Sequence, residues 1–175
     1  MSQRILDRMK ERFPDAVGDT HAQHGNETAF VARERIVEVL AFLRDDPELE
    51  MNYPSDLTCV DLLGLGDGLG ELQREQQDDK PRFEVVYHLY SVTKKHRVRI
   101  KCRVPEDDPT IASVAHLYPS WNWFEREVWD MYGIRFVGHP DLRRIFLYEQ
   151  FVGHPLRKDY PKEKRQPLIR REGMV

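Results

Sequence analysis

Apolar positions recur along the chain in two periods, and the switches between them mark out its elements. Ile5, Leu6, Met9 and Phe13 are spaced as one face of a helix that Pro14 ends. Residues 16–21 and 28–32 flank a polar Gly25-Asn26 turn and predict two short paired strands. Residues 33–44, rich in Ile, Val, Leu and Phe and closed by Asp45-Asp46-Pro47, predict a second helix. Residues 57–63 predict a buried strand. Residues 82–92 and 96–104, joined by Thr93-Lys94-Lys95, predict a hairpin. On its second strand Val98, Ile100, Cys102 and Val104 face one way, and Arg97, Arg99, Lys101 and Arg103 the other. Helical spacing then returns in Trp121, Phe124, Val128 and Met131, giving a helix of about 11 residues. A strand-like Gly-Ile-Arg-Phe-Val piece and a Gly-His-Pro turn follow it. The order predicts an α+β fold: a two-layer domain with a mixed β-sheet packed by helices.

Two stretches break the pattern. Residues 64–70 and the acidic, glutamine-rich run 71–79 hold too few apolar positions to pack and predict a loop. Its four glycines miss the G-x-G-x-x-G spacing by one place, and no P-loop lysine follows, so a nucleotide cradle is not predicted. Residues 157–173 hold seven Lys or Arg against three acids and are interrupted by Pro161 and Pro167. They predict an extended basic C-terminal arm, dividing the chain into a domain at 1–156 and an arm at 157–175.

Composition narrows the class. The 175 residues are a one-domain length, 40% hydrophobic and 33% charged, as in a highly charged soluble globule. A net charge of −3 does not suggest nucleic acid or an anionic membrane as the main partner. The longest aliphatic-aromatic run, 39–43, is far short of the ~20 residues that span a bilayer. A charged N-terminal segment with no apolar stretch behind it predicts no signal peptide and a cytoplasmic location. Cys59 and Cys102 fit a reducing compartment. Two cysteines are too few for an iron–sulfur cluster, which takes four thiolates.

Candidate chemistry is sparse. His21-x-x-His24 lacks a third ligand nearby and reads as a turn. Glu125 and Glu127 point about 200° apart on a helix, so they do not share a proton. Pairing of Glu125, Glu127 and Asp130 with Arg126, Arg143 and Arg144, or with a partner's cations, is the expected arrangement. Arg126 and Asp130, four apart, suit a pair along the helix. The repeated Val-Gly-His-Pro elements at 137–140 and 152–155 predict two similar turns whose imidazoles cap backbone groups, with a proton-handling role as the other possibility. The basic strand face reads as an ordinary solvated face or as a protein interface.

The segment 124–146, FEREVWDMYGIRFVGHPDLRRIF, carries a recognisable pattern. Glu125-Arg126-Glu127, Asp130-Met131-Tyr132-Gly133-Ile134 and Gly138-His139-Pro140-Asp141-Leu142-Arg143-Arg144-Ile145 together resemble the C subunit, or thirty-kilodalton subunit, family of proton-translocating NADH-quinone oxidoreductase (respiratory complex I). Gly153-His154-Pro155-Leu156-Arg157-Lys158-Asp159-Tyr160-Pro161 continues the likeness, and 42–47 and 55–58 extend it more weakly. The resemblance implies a non-redox scaffold in the hydrophilic arm, peripheral on the cytoplasmic face of the cell membrane. It implies docking beside the forty-nine-kilodalton D subunit near the quinone site. No cofactor is implied on this chain, with FMN and iron–sulfur clusters carried by partner subunits. An equivalent scaffold in a membrane-bound hydrogenase or ferredoxin-linked complex is the alternative. The matched residues become candidate partner contacts, with no catalytic or metal residue among them.

Overall fold

The computed structural model describes residues 3–64 and 81–168. Helix α1 (Gln3–Arg12) is followed by strands β1 (Val17–His21) and β2 (Thr28–Val31), helix α2 (Ile36–Asp45) and strands β3 (Tyr53–Asp61), β4 (Phe83–Ser91) and β5 (His96–Val104). Two short strands, β6 (Thr110–Ala112) and β7 (Arg135–Val137), flank helix α3 (Trp121–Tyr132).

The main sheet runs β1-β2-β5-β4-β3, antiparallel except where β2 lies parallel to β5. It is therefore mixed, as predicted. The β4–β5 hairpin pairs Phe83 with Val104 through Ser91 with His96, closed by Lys95 N–H on Ser91 O at 2.8 Å. Alternation along β5 buries Val98, Ile100, Cys102 and Val104. These join the inward residues of α1, α2 and α3 in one core, so the helices form the second layer. All four apolar positions on the predicted face of α1 are buried there.

Several elements differ from expectation. The second helix opens with a 3-10 turn, Arg33–Arg35, before α2 proper. Asp46 then turns extended, as the residue before a proline must. The strand expected at 57–63 spans Tyr53–Asp61 and lies at the sheet edge; only Leu57, Cys59 and Asp61 of it are buried, and Leu63 is exposed. One face of an edge strand meets solvent, hence alternation and no continuous burial. The β6–β7 pair, parallel and joining Thr110–Ala112 to Arg135–Val137, had no signal of its own. The stretch 65–79 lies outside the described residues, as do positions 169–173 of the predicted arm.

Two minor expectations concern histidine and cysteine. His24 sits exposed in a 3-10 turn with φ +55°, beside His21. Cys59 and Cys102 both pair across Val85, two strand spacings or about 9.6 Å apart, too far for a disulfide; both are free and buried.

Candidate functional site

Helix α3 buries more than its apolar stripe. Trp121 and Val128 are buried and Phe124 and Met131 half-buried, but Glu125, Arg126 and Asp130 are buried as well. A charged group inside a fold must find partners, and each of these finds them far along the sequence.

Asp130 is the hub. Its Oδ1 accepts from Arg144 Nη1 at 2.6 Å, while Oδ2 accepts the consecutive N–H groups of Ile145, Phe146 and Leu147 at 3.1, 2.9 and 3.0 Å. Burial opposes ionisation, but the Leu147 N–H, Arg144 and the other two N–H groups outweigh it, holding the carboxyl below its ordinary range. Arg144 Nη2 donates onward to Phe151 O at 3.0 Å and Gly153 O at 3.3 Å. One ion pair thus ties α3 to both ends of an irregular loop. The Arg126–Asp130 pair expected from spacing does not form: Arg126 donates to Arg143 O and Arg144 O at 3.1 and 3.2 Å and lies over Trp123. Four donors converging on one carboxylate outweigh an i,i+4 pair worth only ~0.3–0.5 kcal/mol.

The C-terminus of α3 is closed by the second Gly-His-Pro element. A helix leaves its last four carbonyls without intrahelical partners. Here Trp129 O accepts Gly133 N–H at 2.9 Å, Asp130 O accepts His154 Nδ1–H at 3.0 Å, Met131 O accepts Leu156 N–H at 3.1 Å and Tyr132 O accepts Arg157 Nε–H at 2.6 Å. Gly133, with φ +77°, leaves room for this: a Cβ there would lie 2.6 Å from the His154 ring and 2.8 Å from Arg157 Nη2. Burial, with Arg157 and Arg144 nearby, pushes His154 below its ordinary range despite its bond to Asp130 O, so it caps as neutral imidazole.

The first Gly-His-Pro turn caps differently. His139 Nδ1 accepts Asp141 N–H at 3.0 Å, so Nε2 carries the proton and donates to Asn122 O at 3.1 Å. Its Nε2 is 3.9 Å from Glu125 Oε2, both side chains fully buried. Glu125 does not pair with an arginine, contrary to expectation; it accepts Ser113 Oγ–H at 2.6 Å and Val114 N–H at 2.7 Å. Neutral donors only partly offset burial, which pushes its carboxyl up to about 7. Glu127 is half-buried, has no ion-pair partner among the described residues, and is raised by burial and then by Asp56. Arg143 pairs with Asp141 at the surface, and Gly138 and Pro140 are exposed beside them.

The final signature residues fasten the tail. Lys158 N–H donates to Asp61 Oδ2 at 2.9 Å. Arg82, nearly buried, bridges Asp61, Asp159 and Glu106 at 2.8, 2.7 and 2.5 Å. Tyr160 stacks on Phe151 and meets Gln166, which also bonds Val152 N–H and Val152 O at 3.0 Å each. Pro155 is half-buried between these contacts. Residues 138–168 contain no helix or strand, in keeping with their composition. No break in contacts marks 156/157, and the piece 157–167 lies against 148–153 as well as the sheet. Gly153 has φ +104°, and a Cβ there would lie 2.8 Å from the Tyr160 ring. Gly153→Ala is therefore expected to lower stability by about 1–2 kcal/mol for the left-handed backbone alone, and to expose new protease cuts in 145–168, read by melting and limited proteolysis.

Sequence reasoning missed Arg82, Asp61, Ser113 and the exposed aromatics. Arg82 meets Asp61 and Asp159 at separations of 21 and 77 residues, where no local periodicity operates. The net result is a rigidly held segment that still exposes Phe146 (64%), Val152 (55%) and Leu156 (49%), with Val137 and Trp123 also exposed. Among the described residues no cluster of His, Cys, Asp and Glu suits a metal, and no helix is long and apolar enough to cross a membrane.

These features define a two-layer α+β domain whose most charged helix fixes a long irregular segment along the surface. The family described as respiratory-chain NADH dehydrogenase, 30 Kd subunit, matches residues 29–166, and the chain belongs to that family. One of two numbered C subunits (number 2) of NADH-quinone oxidoreductase from Rhizobium etli is 46% identical over 162 residues, covering 90% of this chain and 79% of its own. The C subunit of the same enzyme from Geobacter sulfurreducens is 42% identical over 158 residues, covering 90% and 88%. The solved trypsin-resistant fragment (1–134) of Nqo5 is 29% identical with a TM-score of 0.64, over 80% of this chain and 98% of the fragment. A chain of membrane-bound sulfane sulfur reductase, an archaeal respiratory membrane complex, shares the fold at 20% identity and TM-score 0.69, over 92% of this chain and 86% of its own.

Proposed function

We propose that this chain is the C subunit of a proton-translocating NADH-quinone oxidoreductase: a non-redox scaffold in its hydrophilic arm, docked beside the forty-nine-kilodalton D subunit near the quinone site. In this reading it is peripheral, on the cytoplasmic face of the cell membrane and held there by its partners. FMN and iron–sulfur clusters sit in other subunits, and electrons pass from NADH through them to quinone.

The observation that carries the reading is the segment 138–168. Its backbone is fixed by Asp130, Arg144, His154, Arg157 and Arg82, yet it turns Phe146, Val152 and Leu156 outward. Ordering an irregular chain costs roughly 1–2 kcal/mol per residue. A surface whose apolar contacts are ordered in advance avoids that loss on binding. Relatives of 42–46% identity, named as C subunits of the oxidoreductase, supply the partner class. The thiols of Cys59 and Cys102 support the non-redox part: both face the core, and burial pushes them far above their ordinary range, away from the thiolate form that binds metal.

Phe146→Asp combined with Leu156→Asp tests the surface. Both side chains are exposed, so the isolated chain should melt within about 0.5 kcal/mol of wild type, while recovery of the chain in the assembled membrane complex collapses. Normal assembly of the double variant would overturn the docking role of this segment.

A further inference from the structure

We propose that the open face of the sheet is a second docking surface, on which an acidic segment of a neighbouring subunit lies across Arg97 and Arg99. The proposal rests on the scaffold reading and adds a partner chemistry at a different face. Four cations alternate along the outward side of β5, but they fall into two unlike halves. Lys101 Nζ is 2.7 Å from Glu84, Arg103 Nε is 3.9 Å from it, and both cations lie over the Phe30 ring at 5.3 and 4.6 Å. That half is neutralised within the chain.

Arg97 and Arg99 have no ion-pair partner among the described residues. In register they stand opposite Tyr90 and His88 of β4, with Asp56 of β3 opposite His88 in turn. Burial and then Arg99 push His88 below its ordinary range, so it remains a neutral hydrogen-bonding group beside the two guanidiniums. Asp56, and Glu27 at the start of β2, are the nearby acids, and neither comes within 4.0 Å of either guanidinium.

These groups, with Asn26 and Ser55, border an open recess of about 250 Å³. Small-molecule sites occupy roughly 300–1,000 Å³, so the recess suits one or two side chains better than a cofactor. Two adjacent arginines are too few for a phosphate backbone, whose binding uses many contacts, while the fork of each guanidinium matches a carboxylate. Asp or Glu side chains on an extended partner segment would meet successive outward positions of β5, about 6.7 Å apart.

The test uses the assembled complex. Arg97→Glu with Arg99→Glu should leave the melting temperature of the isolated chain unchanged, because neither side chain holds anything inside the fold. Recovery in the complex should drop on the order of tenfold, and Arg97→Lys with Arg99→Lys should keep most of it. In parallel, a photoreactive residue replacing Arg99 in purified complex should crosslink to an Asp- or Glu-rich segment of another subunit. Wild-type assembly of the double Glu variant overturns the proposal, as do crosslinks to lipid, to nucleic acid, to an uncharged segment or only within this chain. If wild-type chain itself is never recovered in the complex, the scaffold reading has failed; if it is recovered and the Glu variant is too, this proposal alone has failed.

Discussion

Asp130→Ala is expected to destabilise the chain by about 3–5 kcal/mol, the range for removing one partner of a buried ion pair. Asp130 is fully buried, and its loss strands four donors at once. Arg144, left buried without its carboxylate, also becomes a poor donor to Phe151 O and Gly153 O. The N–H groups of residues 145–147 lose their acceptor, and an unmet buried donor costs roughly 1–3 kcal/mol by itself. Asp130→Asn should be milder, since one amide oxygen still accepts, but it lacks the charge that Arg144 needs. The damage should be local in hydrogen exchange: residues 143–153 lose protection first, while the β4–β5 hairpin keeps it. Urea unfolding of the two variants, with exchange measured by mass spectrometry, checks both points; a loss below about 1 kcal/mol for Asp130→Ala would contradict the hub assignment.

The second large effect is a pH dependence centred on Glu125. Its carboxyl is pushed from an ordinary 4.5 up to about 7 by burial, only partly offset by Ser113 and Val114. Between those values the folded state holds a proton that the unfolded chain has released, so unfolding releases a proton and rising pH favours the unfolded state. The cost is absent below about 4.5 and complete above about 7, on the order of 3 kcal/mol. Glu125→Gln keeps the shape without the titration. The melting temperature of wild type minus that of the Gln variant should therefore fall by roughly 6–12 °C between about pH 4.5 and pH 8. His88 and His154, both pushed below their ordinary range, contribute the opposite slope near pH 6.5, and the subtraction cancels them. A difference constant across that window would show that Glu125 does not titrate there.

Much of the fold was legible because it is local. The four buried positions of α1 and the alternation of β5 follow from periods of 3.6 and 2, and both came out as read. The β6–β7 pair was not legible: three residues per strand, 25 positions apart, are too few to display a period. The signature segment was conspicuous, but what its charges touch was not. Helical spacing suggested Arg126 for Asp130, whereas the structure supplies Arg144 and three backbone donors from 14–17 residues away. Glu125 was expected to meet an arginine and instead meets a serine and a backbone N–H. The capping reading of the histidines did anticipate their contacts, because Gly-His-Pro fixes the backbone locally; that His154 closes α3 depends on the tertiary fold. The basic composition after Arg157 suggested a free arm, yet Asp159, Tyr160 and Gln166 hold it against acids and aromatics that only folding brings near.

The most direct test of the scaffold reading is affinity purification of the tagged chain from gently solubilised native membranes, with co-purifying subunits identified by mass spectrometry. The account predicts a flavin- and iron–sulfur-bearing NADH–quinone assembly that includes the forty-nine-kilodalton D subunit. Recovery of the chain alone, or with a nickel-bearing module in place of the NADH-oxidising one, would contradict it.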